Sequence, residues 1–207
     1  MKITGLTQQR NNSHRYNLAV DGKFKLGIDE TVVLDYHLKE GEEISEKDFQ
    51  TIEKLESNNK ARDRALRLLG NRIHSRKELT LKLKQKGFKP AQIEGTLKYL
   101  EEQGYLDDEE FAVQLVKTRK ERNPKGSVFV RRELLQKGVD EDIVEKVIAE
   151  HYPLCDEIEI ARRVVAKKIK GFRNLSFWEK QNKLKQFLSG RGFQFEVIEE
   201  VLDDIEN

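Results

Sequence analysis

The chain contains one cysteine, Cys155. With no second thiol there is no internal disulfide framework and no zinc finger. Cys155 is expected to be a small buried hydrophobe. The four histidines, His14, His37, His74 and His151, stand far apart without metal-ligand spacing. No G-x-x-x-x-G-K-[ST] phosphate loop, G-x-G-x-x-G or G-x-S-x-G occurs. Long apolar runs are missing too, and the opening MKITGLTQQRNN has no signal core. These absences predict a cytoplasmic protein that does not span a membrane, holds no cofactor or metal and is not an enzyme. The acidic run Asp107-Asp108-Glu109-Glu110 reads as the start of a helix, where negative charge is favoured, rather than as a metal site.

Apolar material is scarce for a compact globule, at 37% hydrophobic against 37% charged residues. An array of small modules, each exposing much surface, accounts for that balance. The net charge is only +2, yet residues 61–106 carry 11 basic and 5 acidic side chains while the remaining segments lie near balance.

What is present is patterned. KITGLT, RYNLAV and KFKLGI read as short strands, with a hairpin turn at Asp21-Gly22, because a type I′ turn needs positive φ. Ser45 and Asp48 resemble a capping box ahead of Phe49, Ile52 and Leu55 at helical spacing. Residues 1–44 are thus expected to be β-rich and to lead into a helix.

From Ala61 a repeat begins. LTLKLKQKGF (79–88), VRRELLQKGV (130–139) and LKQFLSGRGF (184–193) align on Gly87, Gly138 and Gly192. Eight and four residues before each glycine, and one, six and ten after it, every residue is apolar. An earlier stripe aligns on Ala65, Ala112 and Ala161, with apolar residues three and four positions later on the same helical face. Each repeat of roughly 50 residues is therefore three helices. The glycine ends the second helix in the left-handed conformation, and Pro90 suits the first turn of the third. Ser75/Glu78, Ser176/Glu179 and Asp107/Glu110 mark helix starts. The predicted fold is mainly α: a β-rich extension ending in a helix (1–60), then repeats at 61–106, 107–155 and 156–207, forming an elongated curved array.

The candidate chemistry is basic surface. Repeat one offers Arg72, Arg76, Lys77, Lys82, Lys84, Lys86 and Lys89; repeat two offers Lys117, Arg119, Lys120, Arg122, Lys125, Arg131 and Arg132; repeat three offers Arg162, Arg163, Lys167, Lys168, Lys170 and Arg173. Such clusters suit phosphate backbones or acidic protein surfaces, although charged helices can also be simply solvated. Leu81 falls on the basic face of its helix, where it could touch a partner. Phe177 and Trp178 are expected in the core, and interleaved aromatics of the single-strand-binding sort are not evident.

The segments ARDRALRLLGNRIHSRKELTLKLKQKGF, IEGTLKYLEEQGYLDDEEFA and VRRELLQKGVDEDIVEKVI resemble the bacterial RecX regulatory family, closely over 61–152 and more loosely over 156–207. The resemblance implies tandem three-helix repeats and a non-enzymatic modulator of the RecA recombinase. Such a protein binds RecA, lies in the groove of the RecA–DNA filament, and mostly inhibits recombinase, ATPase and coprotease activity in DNA repair and SOS regulation. Basic positions matching the family are Arg72, Arg76, Lys77, Arg131 and Arg132, with Lys84, Arg119, Lys120, Arg122 and Lys125 beside them. The expected state is a monomer. The competing reading is a tandem-helical protein that binds single- or double-stranded DNA and acts by competing for it.

Overall fold

The computed structural model describes residues 1–205. A three-stranded antiparallel sheet, β1 (Ile3–Gln9), β2 (Asn12–Val20) and β3 (Lys23–Asp29), is followed by the short helix α1 (Glu30–Asp35). Among the described residues nine longer helices follow: α2 (Glu46–Leu69), α3 (Arg76–Gln85), α4 (Pro90–Glu102), α5 (Asp108–Glu121), α6 (Ser127–Gln136), α7 (Glu141–His151), α8 (Leu154–Lys168), α9 (Phe177–Ser189) and α10 (Phe195–Asp203). The described residues pack as two units, residues 1–68 with 83–99, and residues 69–82 with 100–205.

In the first unit the β2–β3 turn places Asp21 at φ +50° and Gly22 at φ +73°, as a type I′ turn requires. Ile3, Leu18, Val20 and Ile28 turn inward from the sheet onto Val32, Leu38, Ile44 and Ile52. Ser45 caps α2 by accepting from the Asp48 amide at 3.1 Å. With no proline or glycine between Glu46 and Leu69, α2 then runs unbroken for 24 residues, joining the helix after Ser45 to the one that opens the first repeat. Its buried Glu56 accepts from Arg15 Nη2 at 2.8 Å and from the Asp29 amide at 2.6 Å, which fastens α2 to the sheet. A carboxylate tolerates full burial when an opposite charge and a donor both meet it.

The second unit has one core. Phe111, Ala112, Val116, Val130 and Leu134 pack with Val144 and Val147, and continue into Ala161, Val164, Leu184, Leu188 and Val201. The aligned columns of the sequence are the buried stripes: Ala65, Ala112 and Ala161 are inaccessible, as are Leu79, Val130, Leu184 and Leu83, Leu134, Leu188.

The three glycines end their helices alike. Gly87, Gly138 and Gly192 have φ of +84°, +82° and +75°. In each case the glycine amide bonds back three residues, and the next amide bonds back five: Phe88 to Leu83, Val139 to Leu134, Phe193 to Leu188, at 3.2–3.3 Å. That is a Schellman turn, repeated three times.

Two apolar expectations fail. Cys155 is exposed because it heads the stripe Cys155, Glu159, Arg162 on the solvent side of α8, while Ile158, Ala161 and Val165 take the inner side. Phe177 and Trp178 are 50% and 73% exposed, not core. The Ser176 capping box sets them in the first turn of α9, and the buried stretch of that helix starts only at Leu184.

Candidate functional site

The basic residues divide by what they touch. Arg119 on α5 forks onto Glu133 of α6, Nε at 2.7 Å and Nη2 at 2.5 Å. That bond raises the Arg119 pKa further, against the cost of burial. Arg72 donates to Glu78 at 2.8 Å, and Lys137 pairs with the same carboxylate. Burial alone would raise the Glu78 carboxyl, but its bonds to Arg72 and Lys137 outweigh that and hold it below the usual range. Arg76 reaches Glu101 at 3.2 Å, and its amide donates to Asp108 at 2.8 Å. Burial pushes the Asp108 carboxyl up, partly offset by that amide. Lys120 is held by Asp156 at 2.5 Å and by the His151 carbonyl at 3.0 Å. Arg131 pairs with Glu145 and lies 3.9 Å from Glu141.

Five of the ten candidates, Arg72, Arg76, Arg119, Lys120 and Arg131, are thus structural cations with carboxylates of their own. Lys77 is tethered more lightly, donating to the Gln136 carbonyl at 3.0 Å. Lys125 sits 4.4 Å above the Phe129 ring, which orients its charge without neutralising it. Lys84, Arg122 and Arg132 are exposed and form no ion pair among the described residues. Leu81, on the face expected to be basic, is half exposed.

Two further clefts combine cations named from the sequence, Lys86, Arg163, Lys167 and Lys168, with Lys60, Arg64, Arg67 and Arg191, which were not. In the first unit Lys60, Arg64, Arg67 and Lys86 line one cleft with a single carboxylate, Asp63. In the second unit Arg163, Lys167, Lys168 and Arg191 line a cleft with Phe187 and no carboxylate at all. Their sequence signal was present but split, since Arg191 lies far from the Arg162–Arg173 run and reaches it only through the packing of α9 on α8. Among the described residues no three His, Cys, Asp or Glu side chains converge to hold a metal. No described helix is long and apolar enough to cross a membrane. The arrangement can hold anionic groups by charge.

Comparison with known proteins gives four consecutive family matches. The RecX N-terminal domain covers residues 1–45, and the first, second and third RecX three-helix domains cover 61–100, 107–148 and 156–202. Regulatory protein RecX of Bacillus subtilis is 33% identical over 99% of this chain and 77% of its own length. Its counterpart in Geobacillus kaustophilus is 35% identical over 98% of this chain and 76% of its own. A crystal structure of regulatory protein RecX superposes with a TM-score of 0.78 at 28% identity, covering 98% of both chains.

Proposed function

Because the chain belongs to the RecX family of regulatory proteins, we propose that it regulates the RecA recombinase by binding RecA and the RecA–DNA filament. It acts in the cytoplasm as a monomer, mostly as an inhibitor of strand exchange, ATP hydrolysis and coprotease activity. It works by occupying the filament, without catalytic chemistry of its own. The observation that carries this reading is the order of the four family domains, which together span residues 1–202. The unneutralised cations Lys84, Arg122, Lys125 and Arg132 support it, since a filament of protein and DNA offers acidic and phosphate surfaces. A second reading, competition for DNA itself, is favoured by the carboxylate-free cleft of the third repeat.

Co-sedimentation separates the two. RecA filaments on single-stranded DNA are pelleted with the chain in the presence of a large excess of unbound DNA. Filament binding persists under that excess. A competitor for DNA leaves the pellet, and its affinity collapses steeply between 50 and 200 mM salt, as contacts to several phosphates require.

A further inference from the structure

The shared register of the repeats extends to their clefts. In the second repeat a cleft between α5 and the end of α6 is lined by Gln114, Thr118, Arg119, Glu133 and Lys137, with Arg72 and Glu78 joining from the segment before. In the third repeat a cleft of about 320 Å³ is lined by Arg163, Lys167, Lys168, Phe187 and Arg191. Counted from Ala112 and Ala161, Gln114 becomes Arg163, Thr118 becomes Lys167 and Arg119 becomes Lys168. Counted back from Gly138 and Gly192, Lys137 becomes Arg191 and Glu133 becomes Phe187. Glu78, nine residues before Gly87, has Phe129 as its counterpart nine before Gly138.

The second cleft neutralises itself, Arg119 against Glu133 and Lys137 against Glu78. In the third, Phe187 stands in the lining at the Glu133 position, and two neutral positions have become cationic. The resulting cations are oriented without losing charge. Arg191 Nη1 donates to the Pro124 carbonyl at 2.8 Å, and its guanidinium lies 4.7 Å from the Phe187 ring centre. Lys168 Nζ lies 5.1 Å from the same ring and 5.5 Å from Phe172. Arg163 donates to the Lys120 carbonyl at 2.6 Å. Lys167 is exposed. Carbonyls and ring faces fix direction but supply no compensating negative charge.

Lys167, Lys168 and Arg191 repel one another unless an anion joins them, while Arg163 also lines a neighbouring cleft with Glu121, Asp156 and Glu159. We propose that this third-repeat cleft binds the phosphodiester backbone of a nucleic-acid strand. The inference rests on the second reading above, contact with DNA itself, and names the part of the nucleic acid that this repeat meets. Lys168 and Arg191 already stand over Phe187, which leaves it no platform for base stacking. The contact therefore reads phosphate alone, without base or strand preference.

The test uses the full chain without RecA, labelled oligonucleotides in single- and double-stranded form, and fluorescence anisotropy across a salt series. Lys167→Gln with Lys168→Gln removes two phosphate contacts from exposed positions that do not hold the fold. The single-strand salt slope should fall by about 1.4, and the affinity by about 25-fold at 0.1 M salt, with duplex affected likewise. Phe187→Glu, which restores the carboxylate of the second repeat, should weaken binding without removing any cation. Unchanged affinity and slope in the folded double variant overturn the proposal. Equal competition by polyglutamate of matched charge overturns it in favour of an acidic protein. RecA hydrolysis measured alongside keeps the two readings apart: a wild-type chain without effect on RecA, beside a double variant defective on naked DNA, sinks the filament reading and leaves the cleft assigned.

Discussion

Three glycines share one backbone conformation in three different surroundings, so alanine at each position separates strain from packing. Gly87, Gly138 and Gly192 all have φ between +75° and +84°. An L-residue held there costs roughly 1–2 kcal/mol in strain. At Gly87 a new Cβ meets nothing within 4 Å, so Gly87→Ala should cost about that strain alone. At Gly138 the Cβ would lie 2.7 Å from Lys77 Cβ and 2.6 Å from its Cδ. The lysine stem can swing but its Cβ cannot, and overpacking adds about 1–3 kcal/mol. At Gly192 the Cβ would stand 2.5 Å from both the main-chain nitrogen and the Cβ of Phe129. Relief there requires moving the first turns of α6, so Gly192→Ala should cost the most, above about 3 kcal/mol. Thermal melting followed by circular dichroism reads the series, at about 2–4 °C per kcal/mol for a chain of this size. The expected order of loss is Gly87, then Gly138, then Gly192. Equal shifts at all three would refute the packing argument, and no shift at any would refute the left-handed turns.

Glu157 is inaccessible and accepts from the Ser127 amide at 3.1 Å and the Gln194 amide at 3.2 Å, so Glu157→Ala strands one buried and one partly buried donor and should cost about 2 kcal/mol or more in urea unfolding, with Glu157→Gln milder. Arg119→Ala should lower the melting temperature by leaving the mostly buried Glu133 unpaired, about 1–3 kcal/mol, and leave partner binding intact; Arg132→Glu should do the reverse. Burial holds the His74 imidazole below its ordinary value of 6.5. Above that pH it is neutral in both states; as pH falls through 6.5 the unfolded chain takes up the proton first, so stability declines until the folded-state value is reached. Melting scans from pH 7.5 to 5 should show a decline that His74→Gln reduces; identical profiles would remove His74 from the acid response.

Local signals in the sequence gave the helix ends and turns. Asp21-Gly22, the Ser176/Glu179 box and the three turn glycines each act through neighbouring backbone, so a few residues suffice to identify them. The Ala–Leu stripes were legible because burial follows helical period. Pairings made by tertiary packing were not. Arg15 meets Glu56 across 41 residues, and Arg119 meets Glu133 from another helix, so a count of basic residues overstated the free charge. Arg131 was paired with Arg132 as a candidate, yet only Arg131 has carboxylates beside it. The third-repeat cleft needed both levels: the alignment shows where a carboxylate gives way to phenylalanine, and packing brings Arg191 to Lys168. Trp178 and Cys155 failed because residue type predicts burial only after the helix face is known.

RecA's hydrolysis of ATP on single-stranded DNA, with this protein far below one copy per RecA and DNA in excess, tests the central claim most directly. Action on the filament predicts loss of hydrolysis at that ratio, because one bound copy blocks many RecA subunits. Unchanged hydrolysis, with the chain shown to bind naked DNA under the same conditions, would contradict the account and leave the repeats as DNA-binding modules alone.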